Sequence, residues 1–197
     1  TGTTFDVVID VATATPTIVF WGQPLGDSDL AALVTALERP TVAGALGGVA
    51  PISIVPLHAD GFVGRPGIAG RRGGGRHWAP RFAPTAHRLI DGVLSVDSAD
   101  DVAGLALTTE ITVSDTLELR LTLANVSDRR YSLDALTVSL PLPDAADELI
   151  RFEGRWAREF HPVRSRWDHG AVVSENLRGR TSHEHPPLLF AGASGFG

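Results

Sequence analysis

Hydrophobic and polar positions alternate with a period of two along much of this chain. In Leu117-Glu-Leu-Arg-Leu-Thr-Leu123 every second residue is leucine and the residues between are polar or charged. Successive side chains of a strand point to opposite faces, so this run predicts a strand with one dry and one wet face. Leu105 to Val113 leads into it through Ser114-Asp115, and the two runs read as an antiparallel hairpin. Asn125-Val-Ser-Asp128 is a turn cluster. Tyr131 to Leu142 then resumes the alternation, with Leu136, Val138 and Leu140 in phase. Nearer the start, Phe5 to Val11 and Thr17 to Trp21 are short, apolar and β-branched. Strand signals at this spacing predict an all-β fold of antiparallel sheets packed as a sandwich.

One segment changes period. Asp27-Ser28-Asp29 offers oxygens to the unpaired N–H groups of a helix start, and Leu30, Leu33, Val34 and Leu37 follow at helical spacing until Pro40. From Thr41 to Pro84 glycine, proline and arginine dominate, broken only by the apolar run Pro51 to Leu57. That stretch reads as a long loop, and loops of this length tend to carry function. There is no internal repeat and no clear second domain, so residues 1–197 read as one domain.

Composition narrows the function classes. Hydrophobic residues make up 43% and charged residues 20%, enough apolar material for a packed core. The net charge of −6 argues against a broad attraction to nucleic acid or anionic lipid. With no cysteine there is no disulfide framework, thiolate nucleophile or zinc–sulfur site. That suits a reducing compartment, and a cytoplasmic setting is the expectation. No apolar run approaches the ~20 residues of a membrane span, and no leader peptide is read at the start. All 17 basic residues are arginine, and methionine is absent.

Several clusters invite a chemical reading. Gly70-Arg-Arg-Gly-Gly-Gly-Arg76 has the glycines of a phosphate cradle, but Trp78-Ala-Pro80 follows where such a loop needs a helix start, so a hairpin tip is the better reading. The arginines at 65, 71, 72, 76 and 81, with Phe62, Trp78 and Phe82 among them, resemble a single-strand nucleic-acid platform, which the acidic balance opposes. The same parts suit sugar recognition, with aromatic faces against pyranose C–H groups and polar side chains on the hydroxyls. Ordinary anchoring of the loop by Trp78 and Phe82 stays open. His183-Glu-His185 has a spacing that metal sites use, but a third ligand would have to come from elsewhere, for instance His58 or His161; two prolines follow and no second carboxylate is well placed, so no metal is expected. Ser182 and His183 are neighbours on a strand and point apart, so they form no hydrolase dyad. Glu153, Glu159, Asp168 and Glu175 could pair as general acid and base, but Glu153 and Glu159 sit among Arg151, Arg155 and Arg158 and read as ion-pair partners.

A resemblance then gathers the remaining motifs. Gly154-Arg-Trp-Ala-Arg-Glu159, a strand carrying Gly170, Ser174-Glu-Asn-Leu-Arg-Gly-Arg-Thr-Ser-His183 and Pro187-Leu-Leu-Phe190 resemble the amino-terminal domain of bacterial alpha-galactosidases of glycoside hydrolase family 36. Phe20-Trp-Gly22, Pro51-Ile-Ser-Ile-Val-Pro56 and Gly64-Arg-Pro-Gly67 are similar to earlier segments of that domain, while Thr41 to Pro84 follows its pattern less closely. The resemblance implies a galactose-mutarotase-like β-supersandwich of two antiparallel sheets, with one or two short helices, preceding a catalytic (β/α)8 barrel. It implies a parent enzyme that cleaves terminal alpha-galactosides, such as melibiose and raffinose, with retention.

The family's nucleophile and acid/base aspartates lie in barrel motifs that residues 1–197 do not contain. No catalytic residue, cofactor or metal is therefore expected here, and the chain alone should be inactive. Many family members are tetramers in which this domain shapes a neighbour's active-site mouth, which implies a homo-oligomer. It makes the loop from His58 to Phe82, with Asp60, Arg65 and Trp78, the candidate for substrate contact. A free-standing carbohydrate-binding or oligomerisation module is the alternative. A related specificity, such as alpha-N-acetylgalactosaminidase or raffinose-family synthesis, is a third.

Overall fold

A computed structural model describes residues 4–27, 29–37, 44, 52–142, 145–168 and 170–196. The chain forms two compact units, Thr1–Pro141 and Leu142–Gly197. Both are built from antiparallel β-structure without a closed barrel, so the expected all-β class holds.

In the first unit, β1 (Asp6–Asp10) pairs with β2 (Thr17–Gly22), placing Val7 opposite Trp21 and Val8 opposite Phe20. The helix α1 (Leu30–Leu37) follows. Its N-cap is Asp29, whose Oδ1 accepts the Ala31 N–H at 2.9 Å and the Ala32 N–H at 3.2 Å, the capping role the sequence assigns to this cluster. Ser28 and the helix stop at Pro40 lie outside the described residues. β3 (Ile68–Arg72) comes next, then β4 (Ala83–Ile90), β5 (Val93–Asp100), β6 (Leu105–Val113), β7 (Leu117–Asn125) and β8 (Tyr131–Leu136). β4-β5-β6-β7 form a four-stranded meander, and β3 pairs with β8.

The leucine alternation predicts β6 and β7 closely because a half-buried strand leaves a clear imprint. β4 and β5 leave a weaker one. Their hairpin turn is Asp91-Gly92, with φ of 50° and 80° at the two positions. Positive φ at both central residues is the turn whose twist matches two antiparallel strands, and it favours the Asp-Gly pair.

Two expectations for the first unit need correction. The strand expected over Tyr131 to Leu142 ends at Leu136; beyond it the chain bonds to segments that are not strands. The Thr137 N–H reaches the Gly67 carbonyl and the Ser139 N–H the Ile54 carbonyl, both at 2.8 Å. The stretch Thr41 to Pro84 is also not simply a loop. Ile54, Val55, Leu57 and Ile68 are at most 1% exposed and form the core with Leu105, Leu107 and Ile111 of β6. Each such buried side chain contributes about 1.5–3 kcal/mol of apolar burial. Pro56 hides this segment from a strand reading, since it cannot donate to a ladder. The carbonyls of Pro16 and Pro56 instead accept from Ile54 and Gly67. Gly67 is required, because a Cβ there would sit 2.7 Å from Val55 Cγ1 and 2.9 Å from Val55 Cα.

The hairpin tip after β3 is tied at its base by Arg72, whose N–H donates to the Arg76 carbonyl at 2.8 Å. The Arg72 side chain turns inward and is only 6% exposed. Its Nε donates to the Ala103 carbonyl at 2.8 Å, and its terminal nitrogens reach the carbonyls of Ala103, Gly104 and Arg129 and Asn125 Oδ1. The guanidinium also lies 5.5 Å from the centre of the Tyr131 ring. A buried cation costs several kcal/mol unless its donors are satisfied, and here carbonyl dipoles do that. Gly104 leaves the necessary room: it has φ of 64°, and a Cβ would lie 3.2 Å from the guanidinium.

In the second unit, β9 (Glu148–Arg155) pairs with β10 (Arg158–Arg166) and with β11 (Leu189–Gly192) on its other edge. The β9–β10 turn is Trp156-Ala157, with Ala157 at φ 63°. A bulge follows, with Phe160 at φ 54°, and Gly154 must be glycine because a Cβ would meet the Arg158 carbonyl oxygen at 2.7 Å. Phe152 lies 6.1 Å from Phe160 and 6.0 Å from Phe190 between ring centres, and Phe160 lies 5.4 Å from the His183 ring. Glu148 accepts from the Gly195 N–H at 3.0 Å and pairs with Arg164 at 2.5 Å; the Gly195 hydrogen bond first, then Arg164, lowers its pKa. Among the described residues no strand forms around Gly170, which has φ of 99°.

Replacing Arg72 by methionine keeps the apolar stem and orphans the carbonyls. We expect a loss of about 3 kcal/mol, because each unsatisfied buried group costs ~1–3 kcal/mol. Urea unfolding measures it, and a loss below about 1 kcal/mol contradicts the clamp.

Candidate functional site

The loop from His58 to Phe82 is built from the core outward. After buried Leu57 the chain makes one 3-10 turn, His58–Asp60, closed by the Gly61 N–H on the His58 carbonyl at 3.0 Å and the Phe62 N–H on the Leu57 carbonyl at 3.2 Å. Gly61 ends the turn at φ 89°, a conformation glycine adopts without steric cost. His58 Nδ1 lies 2.8 Å from the Phe62 carbonyl oxygen. A carbonyl only accepts, so Nδ1 carries the proton and the ring is held in place.

Trp78 leans on that ring, with centres 5.7 Å apart and planes tilted by 56°. It is still 61% exposed, so most of its indole faces solvent. His77 before it adopts φ of 54°, and its carbonyl accepts from the Tyr131 hydroxyl at 3.5 Å. On the far side of Trp78 the Arg81 N–H donates to Asp100 Oδ2 at 2.7 Å, and Phe82 is buried. The Arg81 guanidinium reaches back to the Ala59 carbonyl at 3.3 Å, so the two ends of the loop are cross-linked.

Asp60 stands at this cross-link. Although the residue reaches solvent, the surrounding chain screens its carboxyl from water enough to raise its pKa above 3.8, with the Arg81 charge pulling it back down. Of the three sequence candidates, Asp60 and Trp78 are thus joined, through His58 and Arg81. Arg65 is not: it is exposed, and among the described residues no hydrogen bond or ion pair links it to the other two. The sequence reading named Arg81 and His58 within this loop but not their supporting roles. A possible metal ligand by type, His58 is an aromatic prop, and Arg81 is a fastener. The signal for both was the core run ending at Leu57, which pins one side of the loop.

The wider arginine–aromatic platform does not assemble. Phe82 and Arg72 are buried, and Arg71 pairs with Asp134 at 2.5 Å. No three His, Cys, Asp or Glu residues converge on a metal position among the described residues. Glu153 is paired with Arg151 at 2.7 Å, while Glu159 accepts from the Ala157 N–H at 3.3 Å in the β9–β10 turn. Ser182 is buried and accepts from the Glu184 N–H at 3.0 Å. What remains at the surface is an exposed indole on a loop that also carries Asp60 and Arg81. That combination fits the C–H face and hydroxyls of a sugar, and contains no nucleophile with a base.

The glycosyl hydrolase family 36 N-terminal domain model matches residues 14–197. The chain is 38% identical over 184 residues to an alpha-galactosidase of Escherichia coli, an alignment covering 91% of this chain and 25% of that protein. It is 30% identical over 137 residues to a probable alpha-galactosidase G of Emericella nidulans, covering 69% of this chain and 17% of the relative. Its fold matches a GH36 alpha-galactosidase AgaA variant of Geobacillus stearothermophilus in complex with 1-deoxygalactonojirimycin. The TM-score there is 0.83 at 18% identity, covering 99% of this chain and 31% of that one. An alpha-galactosidase of Lactobacillus brevis gives a TM-score of 0.77 at 18% identity, covering 96% of this chain and 30% of that chain. The chain therefore spans about a quarter of the length of the E. coli relative.

The environment of Asp60 has a pH signature. Its folded pKa is raised, so the folded state holds this proton to higher pH than the unfolded state does. Stability from this group is fully present below 3.8 and is lost as pH rises through the folded value. Asp60→Asn lacks that loss, so wild type should weaken relative to the variant as pH rises from about 3 to about 6. Parallel urea-midpoint profiles would contradict the assignment.

Proposed function

Since this chain belongs to the N-terminal domain family of glycosyl hydrolase family 36, we propose that it is the non-catalytic β domain of a longer alpha-galactosidase. In this reading residues 1–197 act as one domain that folds beside a catalytic barrel. The parent protein hydrolyses terminal alpha-galactosides with retention, and both catalytic carboxylates belong to the barrel. The use of carboxylates inside this chain supports that division of labour. Asp97, Asp134, Glu148, Glu153 and Glu184 are each paired with an arginine. Carboxylates engaged with a guanidinium in this way serve the fold, which fits a chemistry housed elsewhere in the parent protein.

The part of this domain nearest to substrate is the loop carrying Asp60 and Trp78, with Arg65 as an outlying member. The observation that carries this is the indole of Trp78, exposed yet braced by His58 and fastened at both ends of its loop. Burying a large aromatic ring is favourable, so a braced but exposed one fits a ligand-facing role. A cytoplasmic homo-oligomer in which this loop borders a neighbour's entrance belongs to the same reading. Trp156, 90% exposed at the β9–β10 tip, supports a surface that other protein covers.

The test uses the intact enzyme with Trp78→Ala and Arg65→Ala. For a raffinose-type substrate, Trp78→Ala should lower kcat/KM by about tenfold, the scale of a lost stacking contact of ~1–2 kcal/mol. A short aryl galactoside should be affected less, and Arg65→Ala should show a smaller loss with the same preference. Unchanged kcat/KM for both substrates in both variants would contradict the entrance role.

A further inference from the structure

Beside the Arg72 clamp the first unit has a shallow depression of about 280 Å³, lined by Arg72, Gly73, Arg76, His77, Arg129 and Arg130. Four of the six lining residues are arginines, and none is a carboxylate. Among the described residues no ion pair engages Arg76, Arg129 or Arg130. Another depression, of about 250 Å³, differs in mixing both signs of charge, with Glu110 and Glu118 beside Arg120 in its lining. Four like charges at one mouth repel each other, and in a chain of net charge −6 that placement needs a reason.

The backbone around the cluster is fixed before any ligand arrives. Arg72 spends its donors on the carbonyls of Ala103, Gly104 and Arg129 and on Asn125, so it contributes charge rather than a free hydrogen bond. Its grip on the Arg129 carbonyl, shared with Asn125 Nδ2 at 2.9 Å, sets where Arg129 and Arg130 leave the β7–β8 turn. Arg76 is placed by the Arg72 N–H on its carbonyl and by its own Nε on the Gly73 carbonyl at 3.2 Å. Asp128, although next to Arg129 in sequence, does not line the depression. Arg76 from one turn and Arg129 and Arg130 from another thus line the same depression. Planar forked donors match the oxygens of a tetrahedral anion.

We propose that this depression is an anion site for a phosphate group, carried either as inorganic phosphate or on a small phosphorylated sugar. It differs from a glycine-loop phosphate cradle, because side chains from two turns do the binding and no helix start is involved. The sequence hides it, since Arg76 and Arg129 are far apart and only the fold joins them. The site does not depend on the galactoside reading.

The test is calorimetric titration of the intact protein at low salt with inorganic phosphate and with a hexose phosphate. Saturable one-to-one binding is expected. Arg129→Ser combined with Arg130→Ser should weaken it at least about tenfold, the worth of one charge-assisted contact. Arg76→Gln, at an exposed loop tip, should weaken it as well and carries the test if the double variant fails to fold. Arg155→Ala, on the β9–β10 hairpin, should bind like wild type. Tighter binding of the hexose phosphate assigns the sugar-borne source; equal affinity assigns the free anion. The proposal is overturned by the absence of saturable binding to either probe, or by a folded double variant that binds as tightly as wild type. An equal loss in Arg155→Ala, or binding of polyglutamate but of neither phosphate probe, overturns it too.

Discussion

The first unit depends on how one buried guanidinium is solvated. Arg72 ends β3, and its donors reach the turn between β5 and β6, the end of β7 and the turn into β8. Those segments belong to two separate sheets, β3-β8 and β4-β5-β6-β7, with no backbone ladder between them. Apolar packing brings the sheets together without fixing their alignment, because burial is non-directional. Hydrogen bonds to carbonyls are directional, and a cation that loses them inside a protein is costly. The clamp therefore converts general collapse into one arrangement of turns. The hairpin tip, the loop to Trp78 and the basic depression all hang from that arrangement.

The loop at Trp78 shows the same economy of parts. Its near end leaves the core at Leu57, and its far end returns at Phe82, both buried. Between them Arg81 bonds the Ala59 carbonyl and His58 braces the indole. A ring exposed on a freely moving loop would lose rotational freedom on meeting a ligand; here much of that cost is met during folding. The chain spans about a quarter of its E. coli relative. The loop's position at a substrate entrance is the functional reading that these features support.

The sequence was most legible where one face is dry and the other wet. Leu117 to Leu123 announces β7 because alternate leucines can only be buried together on a strand. Asp91-Gly92 carried an equally physical signal for the β4–β5 hairpin, one that strand alternation alone does not register. Ser53 to Leu57 was harder, since proline breaks its ladder and its partners, near Pro16, Gly67 and Ser139, are far away in sequence. Of the site, the aromatic and the carboxylate were readable by residue type. Their supports were not, because His58, Arg81 and Arg72 act through backbone carbonyls, which every residue carries and no motif records. Arg65 shows the converse: a residue of the right type in the right loop, standing apart.

The central claim is that a braced, non-catalytic loop meets the substrate. Hydrogen–deuterium exchange of the intact protein, with and without a saturating galactoside, addresses it most directly. The account predicts slower amide exchange in residues 58–62 and 77–82 when the sugar is bound, with β6 and β7 unchanged. Identical exchange in those two segments, alongside protection elsewhere in the enzyme, would contradict it.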